Sequence, residues 1–168
     1  PAAMLTPSNS DSCGVGPGLH LVTNAAPGQV PLGSVAPNGE VSGLRTALAM
    51  GAAKAGLVSD PAIAGSSSLS TAKILAAAIK RVESADLILT AVEASDGYTG
   101  TVAAQVAELL GLPSVTFAKH IEVDGSTLKV QRQTEGGSDE VEVALPALVS
   151  VTTGVVEPPY PSFKGLMP

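Results

Sequence analysis

Aromatic residues, cysteine and histidine are all scarce in this chain of 168 residues. Aromatic side chains make up 2% of the sequence and tryptophan is absent, so the core has to be built from Ala, Val, Leu and Ile. The single cysteine, Cys13, excludes an internal disulfide and a zinc cluster. The two histidines, His20 and His120, are too few for a typical histidine-based metal site.

Long apolar runs and excess positive charge are also missing. No apolar run reaches the roughly 18 residues of a membrane-spanning helix, so we expect no insertion into a membrane. The N-terminus lacks the basic start and apolar core of a secretory signal. A net charge of −6 argues against nucleic acid or an anionic membrane as the main partner. Together these features predict a cytoplasmic protein.

The composition that remains is typical of a folded domain. Hydrophobic residues make up 45% and charged residues 14%, which favours a packed core over disorder. We predict an irregular N-terminal segment (1–28), an α/β domain of nucleotide-binding type (29–152) and an extended C-terminal arm (153–168). Within the first segment the apolar patch 19–22 could form a strand, and the segment could instead wrap onto the sheet in a partly ordered form.

Between residues 29 and 118, strand patterns alternate with helix patterns, which is the mark of an α/β fold with a mainly parallel sheet flanked by helices. Pro31 and Gly33 weaken the first strand of this series, so we expect it at an edge of the sheet. In order, the predicted elements are strand 29–36, helix 40–50, strand 54–59, helix 66–82, strand 86–90, helix 101–110 and strand 114–118.

The pattern changes after Lys119. Polar and apolar residues alternate, with turn signals at 124–125 and 135–137. Such alternation predicts an antiparallel β meander with one solvated face, near residues 119–145. The apolar run 145–152 then predicts a strand that re-enters the sheet.

The stretch 85–119 reads as strand, loop, helix and neighbouring parallel strand, a βαβ unit. The loop after such a strand lies where ligands bind in α/β sheets. Gly97 and Gly100 allow close approach of the backbone, Thr99 and Thr101 offer hydroxyls, and the helix start favours an anion. These residues predict a phosphate-bearing ligand on 96–102. An ordinary βα turn with a threonine N-cap explains the local pattern slightly better when it is taken alone.

The sequence contains no catalytic constellation. A Ser/His/Asp triad would need one of the two histidines, and His120 fits a half-exposed strand residue. Glu93 and Asp96 could polarise a ribose hydroxyl or could be solvated loop acids. Neither a G-x-G-x-x-G fingerprint nor a P-loop lysine is present.

Several collinear stretches resemble one family. They are RTALAMGA (45–52), KAGLVSD (54–60), ADLILT followed by a D-G-x-T-G loop, and LLGLPSVTF (109–117). The most specific part runs from Val130 through Arg132 and 135–137 to LPALVS (145–150), followed by EPPYP (157–161). Over about 28–168 the chain is similar to the β subunit of the electron transfer flavoprotein.

The resemblance implies a fold of the adenine-nucleotide α-hydrolase type and a heterodimer with an α subunit that carries most FAD contacts. It implies an electron carrier without catalytic residues of its own. Electrons would pass from flavin-dependent dehydrogenases, such as acyl-CoA dehydrogenases, to a respiratory acceptor such as a membrane quinone oxidoreductase. Many β subunits hold an AMP without redox chemistry, and a bifurcating subset holds a second FAD there.

By position, the resemblance also implies a nucleotide site. Backbone N–H groups near 97–100 would hold the phosphate, and Glu93 would lie near the sugar or base. The cofactor-binding residues would be Glu40, Ala91, Val92, Glu93, Ala94, Ser95, Asp96, Gly97, Tyr98, Thr99, Gly100 and Thr101.

Two departures from the family modify these expectations. Residues 1–28 do not resemble the family's opening strand and K-x-V-P segment, so the sheet is expected to lack its central strand. Family members run well past Pro168, which implies a truncated or divergent β subunit. The alternatives are a nucleotide-binding module of the universal-stress-protein type, an ATP-pyrophosphatase and a non-functional fragment. The meander and the E-P-x-Y-P ending argue against the stress-protein type, and the lack of an S-G-G-x-D-S loop argues against the pyrophosphatase.

Overall fold

The computed structural model describes residues 19–22, 31–35, 42–49, 54–81, 85–93, 97–153 and 155. These residues form one eight-stranded mixed sheet and three α-helices. The strands are β1 (Leu19–Val22), β2 (Pro31–Val35), β3 (Lys54–Val58), β4 (Leu87–Ala91), β5 (Ser114–Asp124), β6 (Thr127–Thr134), β7 (Gly137–Ala144) and β8 (Ala147–Val151). The helices are α1 (Ser42–Ala49), α2 (Ser68–Arg81) and α3 (Val102–Leu110).

The sheet has the strand order β3-β2-β1-β4-β8-β5-β6-β7. β2 is parallel to β3, β4 is parallel to β8, and β8 is parallel to β5. β1 lies between β2 and β4 and runs antiparallel to both, so β2 and β4 point the same way. The carboxyl ends of β2, β3, β4 and β8 therefore meet at one edge, which we call the carboxyl edge. This arrangement confirms the predicted α/β fold.

Two expectations about the strands near the N-terminus are wrong. β2 was expected at an edge, but it lies between β1 and β3, and β3 is the edge strand. Pro31 is compatible with this position because it is the first residue of the strand. The sheet also has a strand between β2 and β4, since the apolar patch Leu19–Val22 forms β1 there. This strand agrees with the alternative in which the N-terminal segment joins the sheet.

The βαβ unit is correct in its elements but not in its neighbours. β5 was expected beside β4, yet β8 lies between them and pairs with both. The reason is the apolar sequence of β8, whose first four residues are all buried. A parallel strand buried on both faces belongs in the middle of a sheet.

One face of the sheet is covered by α2 and α3. Ser67 Oγ accepts a hydrogen bond from Ser70 N at 3.3 Å and so caps α2. Gly111 ends α3 in a left-handed conformation with φ of 69°. The buried residues of this first core are Ala72, Leu75, Ile79, Ile88, Ala103, Val106, Ala107 and Leu148.

The opposite face is covered by the predicted meander, β5-β6-β7. The two strands predicted at 114–118 and from 120 are one strand of 11 residues, because β5 leaves the parallel sheet and continues into the meander. Leu128 and Val130 of β6 thereby reach the second core. Its buried residues are Leu87, Leu89, Val115, Ala118, Leu128, Val130, Ala147 and Val149.

β5 changes course at an irregularity between Val115 and Ala118. Phe117 has a φ of 60°, which is rare for a bulky residue, and its side chain is 41% exposed. Side chains of β8 and of Thr152, which follows it, stabilise this backbone. Phe117 N donates to Ser150 Oγ at 3.2 Å, and Thr152 Oγ1 donates to Ala118 O at 3.1 Å.

We predict that Ser150→Ala lowers the free energy of unfolding by about 1–3 kcal/mol, because the Phe117 N–H loses its acceptor, the buried Ser150 hydroxyl, in a partly buried place. Ser138→Ala is the matched control, since Ser138 is exposed and accepts only a surface bond from Gln131 Nε2. Its effect should stay within about 0.5 kcal/mol. Urea unfolding measures both, and equal losses would contradict this role of Ser150.

Candidate functional site

The predicted site lies at the carboxyl edge, between the end of β4 and the start of α3. The structure brings the end of the strand, Glu93 and the loop 97–101 together there. Glu40, Ala94, Ser95 and Asp96 lie outside the described residues, so their part in the site stays a prediction.

Glu93 and Gly100 lie beside each other in the described part of the loop. Gly100 has a left-handed φ of 61°, which favours glycine. A Cβ placed on Gly100 would lie 3.8 Å from Glu93 Oε2, so the carboxylate lies directly beside the loop backbone. Tyr98 also has a left-handed φ, of 47°, and the residue is 68% exposed.

The start of α3 differs from the ordinary βα turn with a threonine N-cap, which was the alternative to an anion-binding loop. Thr101 has helical dihedral angles and makes no side-chain cap on α3. Its Oγ1 instead accepts a hydrogen bond from Gln105 Nε2 at 3.2 Å. The first N–H groups of α3 consequently receive no cap from Thr101. Such groups, aligned with the helix dipole, favour an anion.

Two buried polar atoms near this edge were not identified from the sequence. Thr90 is 5% exposed, and neither its Oγ1 nor Gln105 Oε1 has a hydrogen-bond partner in the part of the chain that the structure describes. Thr90 precedes the last residue of β4, and Gln105 lies in the first turns of α3. A buried polar atom without a partner is costly, so a water or ligand group is expected to complete both. The only sequence signal for Thr90 was a single polar residue in an apolar strand.

The charges around the loop define which ligand group it suits. Residues 91–101 contain no lysine or arginine, so a phosphate would have to be held by backbone N–H groups and the α3 dipole. Glu93 brings a carboxylate, which accepts hydrogen bonds from hydroxyl groups. The combination fits a ligand with a phosphate at one end and hydroxyls nearby.

A second concavity, of about 210 Å³, lies on the outer face of the meander, away from the loop. His120 is exposed there rather than half-exposed as predicted. Among the residues that the structure describes, no group of three or more His, Cys, Asp or Glu could hold a metal ion. The lining residues are His120, Glu122, Lys129, Val130, Gln131, Glu140, Val141 and Glu142.

Lys129 has a perturbed pKa in this concavity. Its Nζ donates a hydrogen bond to Asp124 Oδ2 at 3.0 Å, and this bond and the carboxylate charge raise the pKa above its ordinary value of 10.5. A raised lysine pKa adds stability below the unfolded-state pKa, and that stability is lost as the pH rises through the folded-state pKa. The contribution of this lysine to the stability of the fold is therefore constant near neutral pH and disappears only in strong alkali.

The comparisons with known proteins agree with the fold. The family model of the electron transfer flavoprotein domain matches residues 8–167. The chain belongs to the electron transfer flavoprotein domain family. The resemblance drawn from the sequence motifs is thus confirmed.

Curated relatives carry names from the same family. The chain is 39% identical over 140 residues to "Electron transfer flavoprotein subunit beta" of Mycobacterium leprae, covering 83% of this chain and 53% of the relative. It is 39% identical over 139 residues to the protein of that name from Thermoanaerobacterium thermosaccharolyticum, with the same two shares. "Caffeyl-CoA reductase-Etf complex subunit CarD" of Acetobacterium woodii is 40% identical over 124 residues, covering 74% of this chain and 47% of that protein. The chain spans about half the length of these relatives.

Of the helices in the described residues, none has the length and apolar character needed to cross a membrane.

We predict that Asp124→Asn lowers the pKa of Lys129, because Lys129 loses the hydrogen bond and charge that raise it. A pH titration followed by NMR at the lysine Cε measures the change. Glu135→Gln is the control, since Glu135 is exposed and is not among the groups that shift Lys129. An unchanged titration in Asp124→Asn would show that the ion pair does not persist in solution.

Proposed function

We propose that this chain acts as the β subunit of an electron transfer flavoprotein. In this role it is an electron-carrier subunit without catalytic residues of its own, paired with an FAD-bearing α subunit. The pair passes electrons from flavin-dependent dehydrogenases, such as acyl-CoA dehydrogenases, to a respiratory acceptor. Membership of the family and the names of the curated relatives support this role. The cytoplasmic location and the domain boundaries at 28/29 and 152/153 remain predictions.

We further propose that the loop between β4 and α3 binds a structural AMP. The single observation that carries this proposal is the uncapped start of α3 beside the left-handed Gly100 at the carboxyl edge. The residues fit an adenine nucleotide, since they combine an anion-binding helix end with a carboxylate and a buried hydroxyl that has no partner among the described residues. AMP would supply no redox chemistry and would act by binding the folded chain.

Each group at the loop has a defined task in this proposal. The backbone N–H groups of Gly100, Thr101 and Val102 bind the phosphate without a cationic side chain. The Glu93 carboxylate accepts a hydrogen bond from a ribose hydroxyl. Glu40 and the residues 94–96 complete the pocket as the family resemblance implies. FAD stays with the α subunit, and the β chain forms one wall of its site.

The closest alternative for the loop is a second FAD in place of AMP. Both ligands carry an adenosine and a phosphate, so the described groups would hold this shared part of either. The size of the remaining pocket depends partly on residues outside the described part. The ligand released from the protein therefore decides between them.

We predict that co-expression with an electron transfer flavoprotein α subunit yields a yellow complex that contains FAD and AMP in a 1:1:1:1 ratio with the two chains. An absorbance spectrum and nucleotide analysis after denaturation measure this outcome. Two FAD per complex and no AMP would support the carrier role and overturn the structural AMP. An α subunit that holds FAD without this chain would support the alternative that the chain is a non-functional fragment.

We predict that Gly100→Ala weakens AMP binding at least about tenfold, because a side chain at this φ strains the loop that presents the N–H groups. Gly65→Ala is the matched control. Gly65 has a similar φ of 70° with nothing within 4 Å of the added Cβ, so it carries a similar backbone cost away from the loop. Both variants should lose about 1 kcal/mol of stability, and only Gly100→Ala should lose AMP affinity in calorimetry. Equal AMP affinities would contradict the proposed site.

A further inference from the structure

Gln105 joins the starts of two helices. It occupies the fourth position of α3, and its Nε2 donates a hydrogen bond to Thr101 Oγ1 at 3.2 Å and a longer one to Ser68 Oγ at 3.5 Å. Thr101 lies one turn before Gln105, and side chains four residues apart meet on one face of a helix. Ser68 is the first residue of α2. One partly buried amide therefore ties the Thr101 hydroxyl to the start of the neighbouring helix.

The position of this amide is not one that stability alone explains. Gln105 Oε1 is buried and has no hydrogen-bond partner among the described residues. An unpartnered buried carbonyl is unfavourable, whereas water would satisfy both amide atoms at an exposed helix position. Local arrangements that cost stability are found mostly at functional sites. Gln105 is thus a candidate for a role at the loop between β4 and α3.

Thr101 does not adopt the conformation of a capping residue. A residue that caps a helix has an extended backbone, and its side-chain oxygen accepts a hydrogen bond from an N–H two or three residues later. Thr101 instead has a φ of −107° and a ψ of −11°, in the helical region, and makes no such bond. Its carbonyl oxygen accepts from Gln105 N at 3.1 Å. Thr101 is therefore bonded to Gln105 through its backbone and through its side chain.

The strand beneath the start of α3 contains a second polar group without a partner. Thr90 lies on the same face of β4 as Ile88, which packs with Ala103 and Val106 of α3 in the first core. Thr90 is 5% exposed, and its Oγ1 has no hydrogen-bond partner in the part of the chain that the structure describes. The unpartnered oxygens of Thr90 and Gln105 thus belong to the two elements that meet at the candidate loop.

We propose that Gln105 is a positioning residue for the nucleotide. By binding the Thr101 hydroxyl, its amide keeps that oxygen from capping the first N–H groups of α3, which stay open to the phosphate. A hydroxyl cap and a phosphate compete for these donors, because each backbone N–H has a single hydrogen. Gln105 acts through Thr101 and does not touch the ligand. The inference rests on the proposed function, because it requires that a phosphate binds at this loop.

The first test is Gln105→Met, which removes the amide and keeps a long side chain. The Kd for AMP should rise at least about tenfold, because the freed Thr101 hydroxyl caps N–H groups that otherwise donate to the charged phosphate. The Kd for adenosine should stay within about twofold, since adenosine has no phosphate. The urea midpoint should stay unchanged or rise, because a cap stabilises a helix. Calorimetric titration of the complex with an α subunit, freed of bound nucleotide, measures both affinities.

The second test adds Thr101→Val to the Gln105→Met variant. The Kd for AMP should then fall at least about threefold from that of the single variant, because valine is branched like threonine but has no oxygen that could cap α3. A merely structural role of Gln105 makes the opposite prediction, since a second substitution beside the loop would weaken binding further.

Two control variants separate this role from a general effect of the substitution. Gln131→Met is the matched control, because Gln131 is also partly buried and its Nε2 donates to a hydroxyl, Ser138 Oγ, at 3.3 Å, but it lies in the meander. Ser68→Ala removes the second acceptor of Gln105 Nε2 and keeps the bond to Thr101. Both controls should leave the Kd for AMP within about twofold.

Three outcomes would overturn the inference. Equal AMP affinities of Gln105→Met and the unaltered chain would reject it and leave the AMP site intact. Equal losses of affinity for AMP and adenosine, or no recovery with Thr101→Val, would show that Gln105 only supports the fold of the loop. No binding of AMP by the unaltered complex would reject the structural AMP and the inference with it.

Discussion

The burial of β8 on both faces is the constraint on which the rest of this structure depends. Leu148 belongs to the core beneath α2 and α3, whereas Ala147 and Val149 belong to the core beneath the meander. β8 thus contributes buried residues to both cores, as its neighbour β4 does through Ile88 on one side and Leu87 and Leu89 on the other. The central position of β8 forces β4 and β5 apart. The hydroxyl groups of Ser150 in β8 and of Thr152 just after it fix the backbone where β5 turns away. The candidate nucleotide loop follows β4 at the same edge.

The sequence was a good guide wherever a pattern is local. Helical spacing predicted α2 and α3, and alternation with turn signals predicted the three strands of the meander. It could not give the order of the strands, because the pairing of short apolar runs depends on contacts between distant segments. The place of β2 inside the sheet, the insertion of β8 beside β4, and the antiparallel direction of β1 were all of this kind. The left-handed Phe117 likewise depends on a partner strand 33 residues away.

The candidate site was predicted in part. Gly97, Gly100 and the start of α3 are visible as a motif, since glycine and small polar residues between a strand and a helix have a recognisable spacing. The lack of a cap by Thr101 instead accompanies the hydrogen bond that Gln105 Nε2 donates to the Thr101 hydroxyl. Thr90 and Gln105 were outside the predicted site, because an unpartnered buried atom is a property of packing that no spacing reveals. Glu40 and residues 94–96 still rest on the family resemblance.

The shortness of β1 has a consequence for local unfolding of the sheet. β1 has four residues paired with β4 but only two paired with β2, so the connection on the β2 side is the weaker one. On the far side of this two-residue pairing, β2 and β3 pair with each other over five residues and α1 packs on both. Such a piece can open as one cooperative unit while the β4-β8-β5 centre stays closed. Amide protons of β2 and β3 would then exchange together, and earlier than those of β8.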